Sequence, residues 1–254
     1  MTLTCMALAA LSLLGQNEFE TFMKEYQAKR QDLRVLEAHY VERTIYPDET
    51  FETEGELLYA KPRRLVRRTA DRSSTVLIDD QQLYNYEPAI KQLEIYDLGG
   101  DPSAEALFLG FEANLERVQE AYDVRMVEQG ADPRGKKGLL LTPKAENLKE
   151  SMFQEVTILL EDKTLLPFHI DIKTDDDSRL IYEVKNYVLN GTPDLSETQI
   201  ILPEGTKIIR GEEFESTVGP GGKMVPDPAL AVAAPAEVAP KIESTDLPPA
   251  PATP

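Results

Sequence analysis

Cysteine, tryptophan and histidine are almost absent from this chain of 254 residues, which has one, none and two of them respectively. A single cysteine, Cys5, cannot form a disulfide within the chain. If the N-terminal segment is removed, no thiol remains for a nucleophile or a thiolate metal site. The two histidines, His39 and His169, stand on separate predicted strands without a second ligand at metal-like spacing, which argues against a metal centre. Without tryptophan or stacking aromatics among its basic residues, the chain offers no platform for single-stranded nucleic acid.

Basic residues are also scarce, because 27 Lys and Arg stand against 45 Asp and Glu, for a formal net charge of -18. This charge argues against binding to nucleic acid and against standing attachment to anionic lipid. One basic cluster is the exception, and it consists of Arg63, Arg64, Arg67, Arg68 and Arg72. We interpret the cluster as a solvated strand face, with a docking patch for an acidic partner as the alternative.

Catalytic motifs are missing as well. The chain has no Gly-rich phosphate loop, no HExxH and no Gly-x-Ser-x-Gly elbow. Carboxylates are plentiful, but Asp175, Asp176 and Asp177 lie at a predicted hairpin tip, where they indicate a turn. A Ca²⁺ site there is the alternative, although the remaining oxygen ligands of a calcium loop are lacking. We therefore expect a protein that is not an enzyme and that has no catalytic residues, no cofactor and no metal.

The two ends of the chain differ in composition from the middle. Residues 1–15, MTLTCMALAALSLLG, are apolar and uncharged, too short to span a bilayer and typical of the apolar region of a secretory signal peptide. We expect cleavage after Gly15, and a buried N-terminal helix is the alternative. Residues 216–254 form a Pro/Ala-rich tail without apolar periodicity, which predicts disorder. The predicted folded domain is then residues 16–215.

Between these ends the apolar pattern is first helical and then strand-like. Phe22, Met23 and Tyr26 recur at helical spacing and predict an amphipathic helix from Glu18 to Arg34. From Val35 onward, short runs of period two predict about ten or eleven antiparallel strands, interrupted by a helical insert. Two helical segments cannot cover both faces of such a sheet. We therefore predict an α+β, mainly β fold, in which a curved antiparallel sheet forms an unclosed half-barrel with helices as a lid over its hollow face.

Four stretches spread over the predicted domain resemble motifs of one known family. They are Gly55–Pro62 (GELLYAKP), Val76–Pro88 (VLIDDQQLYNYEP), Leu140–Lys144 (LLTPK) and Leu202–Gly205 (LPEG). In this order, behind a helix and a signal-like start, they are similar to the motifs of the LolA-like periplasmic carriers of outer-membrane lipoproteins. The chain departs from that family at Lys61, where the family has an arginine, and at Asp80, which replaces a hairpin glycine.

The resemblance implies a hollow sheet face that binds the acyl chains of lipoproteins under a lid of short helices. Side chains alternate along a strand, so Leu57, Tyr59 and Lys61 share one face, which Leu65 continues beyond the turn. We assign acyl-chain binding to the three apolar residues of this set, and we assign to Lys61 the role of a latch that holds the lid shut without cargo. The lid is then the apolar run Leu107, Phe108, Leu109 and Phe111, for which an ordinary core helix is the alternative.

The resemblance also implies a function and partners. It describes a monomeric periplasmic carrier that takes lipoproteins from an inner-membrane lipoprotein-releasing transporter and delivers them to an outer-membrane acceptor. Two alternatives remain open at this point. One is a periplasmic lipid-binding or envelope-sensing protein of the same fold with a different cargo, and the other is an envelope interaction protein that presents the Pro/Ala tail.

Overall fold

The computed structural model describes residues 18–99, 104–112, 115–128, 132–148, 151, 153–192 and 194–226. The predicted signal segment, residues 1–15, lies outside these ranges, and so does the chain beyond residue 226. Within the described ranges, no helix is both long enough and apolar enough to cross a membrane.

The described chain has few helices and many strands. The described part of helix α1 is residues 18–31, α2 is Ala104–Phe108, α3 is Leu115–Ala121, and a 3₁₀ helix covers Leu195–Thr198. The strands are β1 Val35–Ile45, β2 Thr50–Ala60, β3 Arg64–Thr69, β4 Thr75–Ile78, β5 Gln82–Glu87, β6 Gln92–Asp97, β7 Tyr122–Glu128, β8 Lys137–Pro143, β9 Glu155–Leu160, β10 Pro167–Lys173, β11 Arg179–Leu189, β12 Ile200–Leu202, β13 Lys207–Arg210, β14 Glu213–Thr217 and β15 Lys223–Val225.

Thirteen of these strands form one sheet, in the order β14-β13-β6-β5-β4-β3-β2-β1-β11-β10-β9-β8-β7. The strand pairs are antiparallel except for β13 and β6, which run parallel. The sheet is curved, and it does not close into a barrel because β14 and β7 are its two edges. This confirms the predicted mainly β half-barrel. The strands in the described residues outnumber the expected ten or eleven, mainly because the three short strands β13 to β15 follow residue 206.

The pairing of β1 with β2 explains the glycine of the first motif. Tyr40 on β1 lies opposite Gly55 on β2. A Cβ atom at Gly55 would collide with the carbonyl oxygen of Arg68 and would lie 2.7 Å from the hydroxyl oxygen of Tyr40. The absent side chain therefore makes room for the Tyr40 ring. This ring belongs to the hollow face, which we define as the sheet face that packs against α1 and against the lid segment, residues 104–112.

The lid segment joins two apolar clusters on the hollow face. Ala106 and Leu109 pack with α1 and with strands β7 to β10. Phe108 and Phe111 pack with strands β1 to β4. The segment thus bridges the two halves of the sheet, so moving it away would expose apolar surface on both halves at once.

The opposite face of strands β2 to β6 is buried too, which the sequence analysis did not predict. The separate pair of strands β12 and β15 covers it, together with Ile208 from the neighbouring strand β13, and Val218 and Val225 in this cover are only 6% and 4% exposed. The folded body therefore extends past residue 215 to at least residue 226, and the predicted start of the tail at residue 216 is wrong. Single buried valines between glycines and prolines leave no periodic pattern that composition can reveal.

Helix α1 ends at residue 31, three residues before the predicted Arg34. The Asn190 side chain accounts for the stop. Its Oδ1 accepts hydrogen bonds from the backbone N–H groups of Arg34 at 2.7 Å and Val35 at 3.2 Å, and its Nδ2 donates to the carbonyl of Asp32 at 3.0 Å. These bonds satisfy backbone groups at the helix end and direct the chain into β1.

Candidate functional site

A cavity of about 200 Å³ lies between the hollow face and the lid segment. Strands from both halves of the sheet line it, and its wall is mainly apolar. Among its lining residues are Leu57, Leu65, Ile78, Leu107, Phe111 and Ile158. Two of the three residues predicted to bind acyl chains, Leu57 and Leu65, therefore stand at its wall.

The other predicted residues surround the cavity without all facing it. Tyr59 is fully buried and stacks on Phe111, with 5.7 Å between the ring centroids. Phe108 is buried in the cluster on strands β1 to β4, and Leu109 is buried in the cluster against α1. The structure thus brings the predicted lid residues against the predicted hollow, with Leu107 and Phe111 at the cavity and the other two anchoring the lid segment.

Side chains of helix α1 bind backbone carbonyls of the lid segment and so hold this segment in place. The Tyr26 hydroxyl donates to the carbonyl of Leu109, and Arg30 Nε donates to the carbonyl of Gly110 at 3.3 Å. Arg30 is only 2% exposed, and its guanidinium stacks over the Tyr26 ring at 4.5 Å from the centroid. Its other nitrogens donate to carbonyls in the loop before β10. One buried arginine therefore ties the lid segment, α1 and that loop together.

Glu112 fixes the C-terminal end of the lid segment to the sheet. Its Oε1 accepts a hydrogen bond from the Tyr59 hydroxyl at 2.7 Å, and its Oε2 pairs with Arg63 Nη1 at 2.9 Å. The side chains of Arg63 and Glu112 are only 13% and 14% exposed. Arg63 also pairs with Asp80 at 2.5 Å and lies 4.4 Å from the centroid of the Phe108 ring. Burial, followed by the negative charge of Glu112, raises the pKa of Tyr59, so its hydroxyl stays protonated and donates.

The prediction that Lys61 latches the lid segment does not agree with the structure. Its Nζ lies 3.1 Å from the carbonyl oxygen of Gln31 and 3.4 Å from that of Arg30, so its hydrogen bonds go to the end of α1 and not to the lid segment. A cation at the C-terminal carbonyls of a helix is a common stabilising arrangement. Arg30 and Arg63 make the lid contacts instead, and sequence analysis missed both. Arg30 had a signal, because it continues the apolar face of α1 four residues after Tyr26.

The arginine cluster divides by strand alternation between the two faces of the sheet. Arg67 points to the hollow face, whereas Arg64 and Arg68 contact the 3₁₀ helix on the opposite face. Arg68 pairs with Glu197 at 2.7 Å. Neither the solvated strand face nor the docking patch describes the cluster, because these side chains bind other parts of the same chain. Arg72, which pairs with Glu56 at 3.0 Å, is the more exposed member.

A polar group stands in the otherwise apolar wall of the cavity. Arg67 Nη1 donates to Glu42 Oε2 and to the hydroxyl of Tyr182, the latter at 2.5 Å. The guanidinium also lies 5.2 Å from the Tyr182 ring centroid and 5.7 Å from that of Tyr40. Burial is the main cause that raises the pKa of Tyr182, so its phenol remains neutral.

The other candidate sites of the sequence have ordinary structural partners. His169 Nδ1 lies 2.7 Å from Glu183 Oε1. The Asp175 carboxylate accepts from the backbone N–H of Asp177 at 2.8 Å, which is the predicted turn contact. In the part of the chain that the structure describes, no three His, Cys, Asp or Glu side chains are grouped as a metal would require.

No protein-family model matches the chain, and no curated protein matches its sequence significantly. Solved structures do resemble it. An uncharacterised conserved protein from Thermus thermophilus is 10% identical, with 75% of this chain and 98% of that chain covered and a TM-score of 0.46. An outer membrane lipoprotein-sorting protein domain from Vibrio parahaemolyticus is 11% identical, with 68% and 93% covered and a TM-score of 0.41.

A LolA superfamily protein from Nitrosomonas europaea is also similar, at 12% identity, with 68% of this chain and 96% of that chain covered and a TM-score of 0.36. The chain is thus similar to LolA-type structures, as its four motifs predicted.

Proposed function

We propose that this protein is a periplasmic carrier that binds the acyl chains of lipoproteins in its hollow and moves them from the inner to the outer membrane. The observation that carries the proposal is the apolar cavity on the hollow face, covered by a segment whose underside is apolar and whose C-terminal part is held by a few polar contacts. Such a cover can detach without unfolding the sheet.

The size of the cavity indicates that the lid segment is closed over the hollow in this structure. Its volume is about 200 Å³, whereas pockets for drug-sized ligands measure about 300–1,000 Å³. An apolar cavity of about 150 Å³ accommodates a molecule such as benzene, so a diacyl anchor needs more room. Displacing Leu107 and Phe111 from the cavity wall would provide it.

Acyl chains suit this surface because they need apolar area and adaptability rather than many placed polar groups. Each CH₂ buried contributes about 0.8 kcal/mol, so even partial burial of an anchor competes with a membrane. A lid segment that occupies the hollow when the cargo is gone lowers the net affinity, which allows release to an acceptor. Loading by an inner-membrane transporter and unloading to an outer-membrane acceptor, by a monomeric carrier, complete the proposal.

The test is to recover the full chain from the periplasm and to identify what it carries. Lipid extraction and mass analysis should show diacylglyceryl-modified protein or peptide bound to the wild-type chain. A Leu57→Asp variant, which places a charge at the cavity wall, should carry less than the wild type. Bound lipid without any lipoprotein would point to the alternative, an envelope lipid-binding or sensing protein of the same fold. Recovery of the chain from the cytoplasm with Met1 still in place would contradict the carrier proposal.

A further inference from the structure

Arg67 on β3, Glu42 on β1 and Tyr182 on β11 form a polar cluster at the wall of the cavity, on two neighbouring strands and a third that β2 separates from them. Glu42 on β1 lies opposite Tyr182 on β11, and Arg67 on β3 lies opposite Leu57 on β2. Arg67 and Tyr182 line the cavity together with apolar side chains. The side chains of Arg67 and Glu42 are 24% and 19% exposed, so the pair is mostly withdrawn from bulk water. A site for hydrocarbon alone would not need this pair, because desolvating two charges is costly.

The guanidinium of Arg67 is only partly used by the protein. Both of its hydrogen bonds leave from Nη1. An arginine has five N–H donors, and among the described residues none accepts a hydrogen bond from Nε or Nη2 of Arg67. These nitrogens belong to a side chain that lines the cavity and retains accessible surface. The cavity wall thus presents N–H donors in a fixed planar fork to whatever enters.

The charge around this fork decides which acceptor suits it. Glu42 already balances the charge of Arg67, and the phenols of Tyr182 and Tyr40, whose pKa values burial raises, are neutral. A ligand carboxylate or phosphate would therefore leave an excess negative charge in a poorly hydrated site, within a chain of net charge -18. A neutral carbonyl oxygen accepts the same N–H groups without that excess.

We infer that Nε and Nη2 of Arg67 form a subsite for the carbonyl oxygen of an uncharged acyl ester, whose hydrocarbon chain lies in the adjoining apolar cavity. The inference rests on the proposed acyl-chain binding and adds the chemical class of the group next to the chain. Glu42 and Tyr182 act as positioning residues, because their contacts with Nη1 fix the plane of the guanidinium. The ester source is either a free acylglycerol or the diacylglyceryl group of a lipoprotein.

The test compares ligands that differ only in the carbonyl. The delipidated full chain is titrated with 1-monooleoylglycerol and with 1-O-oleylglycerol, its ether analogue, by displacement of a fluorescent apolar probe. A hydrogen bond from a charged donor predicts that the ester binds about tenfold tighter than the ether. Oleate should bind more weakly than the ester at neutral pH. A synthetic diacylglyceryl-cysteine peptide, run beside the acylglycerol, separates the two ester sources.

Substitutions assign the preference to Arg67. The double variant R67M/E42Q removes both charges together and should bind ester and ether equally, whereas Arg68→Met, on the opposite face of β3, should keep the ester preference. The infrared band of a ¹³C-labelled ester carbonyl should shift to lower frequency in the wild-type complex and not in the double variant.

Equal binding of ester and ether to the wild type would overturn the inference while leaving the proposed acyl-chain binding intact. Tighter binding of oleate than of the ester would overturn it in favour of an anion site. If neither the ester nor the ether binds, the proposed function fails and the inference fails with it.

Discussion

Replacing Glu112 with glutamine should loosen the lid segment. The glutamate accepts a hydrogen bond from Tyr59 at 2.7 Å and pairs with Arg63 at 2.9 Å, and both ionic side chains are mostly buried. Glutamine keeps one oxygen acceptor but loses the charge. A hydrogen bond to a charged group contributes about 1.5–3 kcal/mol. If these contacts exist only in the closed state, the lid should open about 10 to 100 times more often.

Two measurements follow this change. The rate at which a fluorescent apolar probe enters the delipidated Glu112→Gln protein should rise by about one to two orders of magnitude, in line with the opening equilibrium. Since about 1 kcal/mol corresponds to about 2–4 °C in a domain of this size, the melting temperature should fall by roughly 3–12 °C.

The matched control is Glu56→Gln, which removes a glutamate that pairs with Arg72 at 3.0 Å on the protein surface. Its side chain is 57% exposed, and an exposed pair contributes about 1 kcal/mol or less. Probe entry should therefore stay close to the wild-type rate. Probe entry at the wild-type rate in a folded Glu112→Gln protein would show that the Tyr59 and Arg63 contacts do not hold the lid segment.

Three further predictions concern the other contacts. Arg30→Met should lower the stability by at least about 2 kcal/mol, because it leaves buried carbonyls of the lid segment and of the loop before β10 unpaired. Urea unfolding measures the loss of stability, and an unchanged unfolding midpoint would contradict the prediction. Lys61→Gln should lower the stability by about 1 kcal/mol or less and leave the rate of probe entry within about twofold of the wild type. If probe entry in Lys61→Gln were instead as fast as that expected for Glu112→Gln, Lys61 would be a latch after all. A chain that ends at residue 226 should have the melting temperature of the full chain. A chain that ends at residue 215 should melt at least about 6 °C lower, because it loses two buried valines. Equal melting temperatures of the two truncated chains would show that the C-terminal cover is dispensable.

Alternation along the strands is readable from the sequence, and it predicts the curved antiparallel sheet that the structure has. It places Leu57 and Leu65 on the hollow face, because side chains alternate across a strand and the turn preserves that order. The same rule separates Arg67 from Arg64 and Arg68. Alternation alone does not predict that the opposite face of the sheet is buried as well. The adjacent apolar pair Leu57 and Leu58 is the sign of this in the sequence, because neighbours on a strand point to opposite faces, and both are only 7% exposed in the structure.

The polar partners were not readable, because each is distant in sequence. Glu112 lies 49 residues from Arg63, and Arg30 lies 80 residues from Gly110. No local periodicity predicts such pairs. The family motif, and not the local geometry, predicts a latch at Lys61. In the structure this residue lies just beyond the end of β2, where its side chain reaches the last carbonyls of α1.

The central claim is that an acyl chain occupies the hollow beneath the lid segment. It is tested most directly by photo-crosslinking the delipidated full chain with a fatty-acyl glycerol that carries a diazirine at the end of its chain, followed by peptide mapping. Label is expected on β2, β3 and β9, at the cavity residues Leu57, Leu65 and Ile158, and Glu112→Gln should take up more label than the wild type. Label confined to the opposite face, around Leu93 and Leu202, or label that excess unlabelled lipid does not compete away, would contradict it.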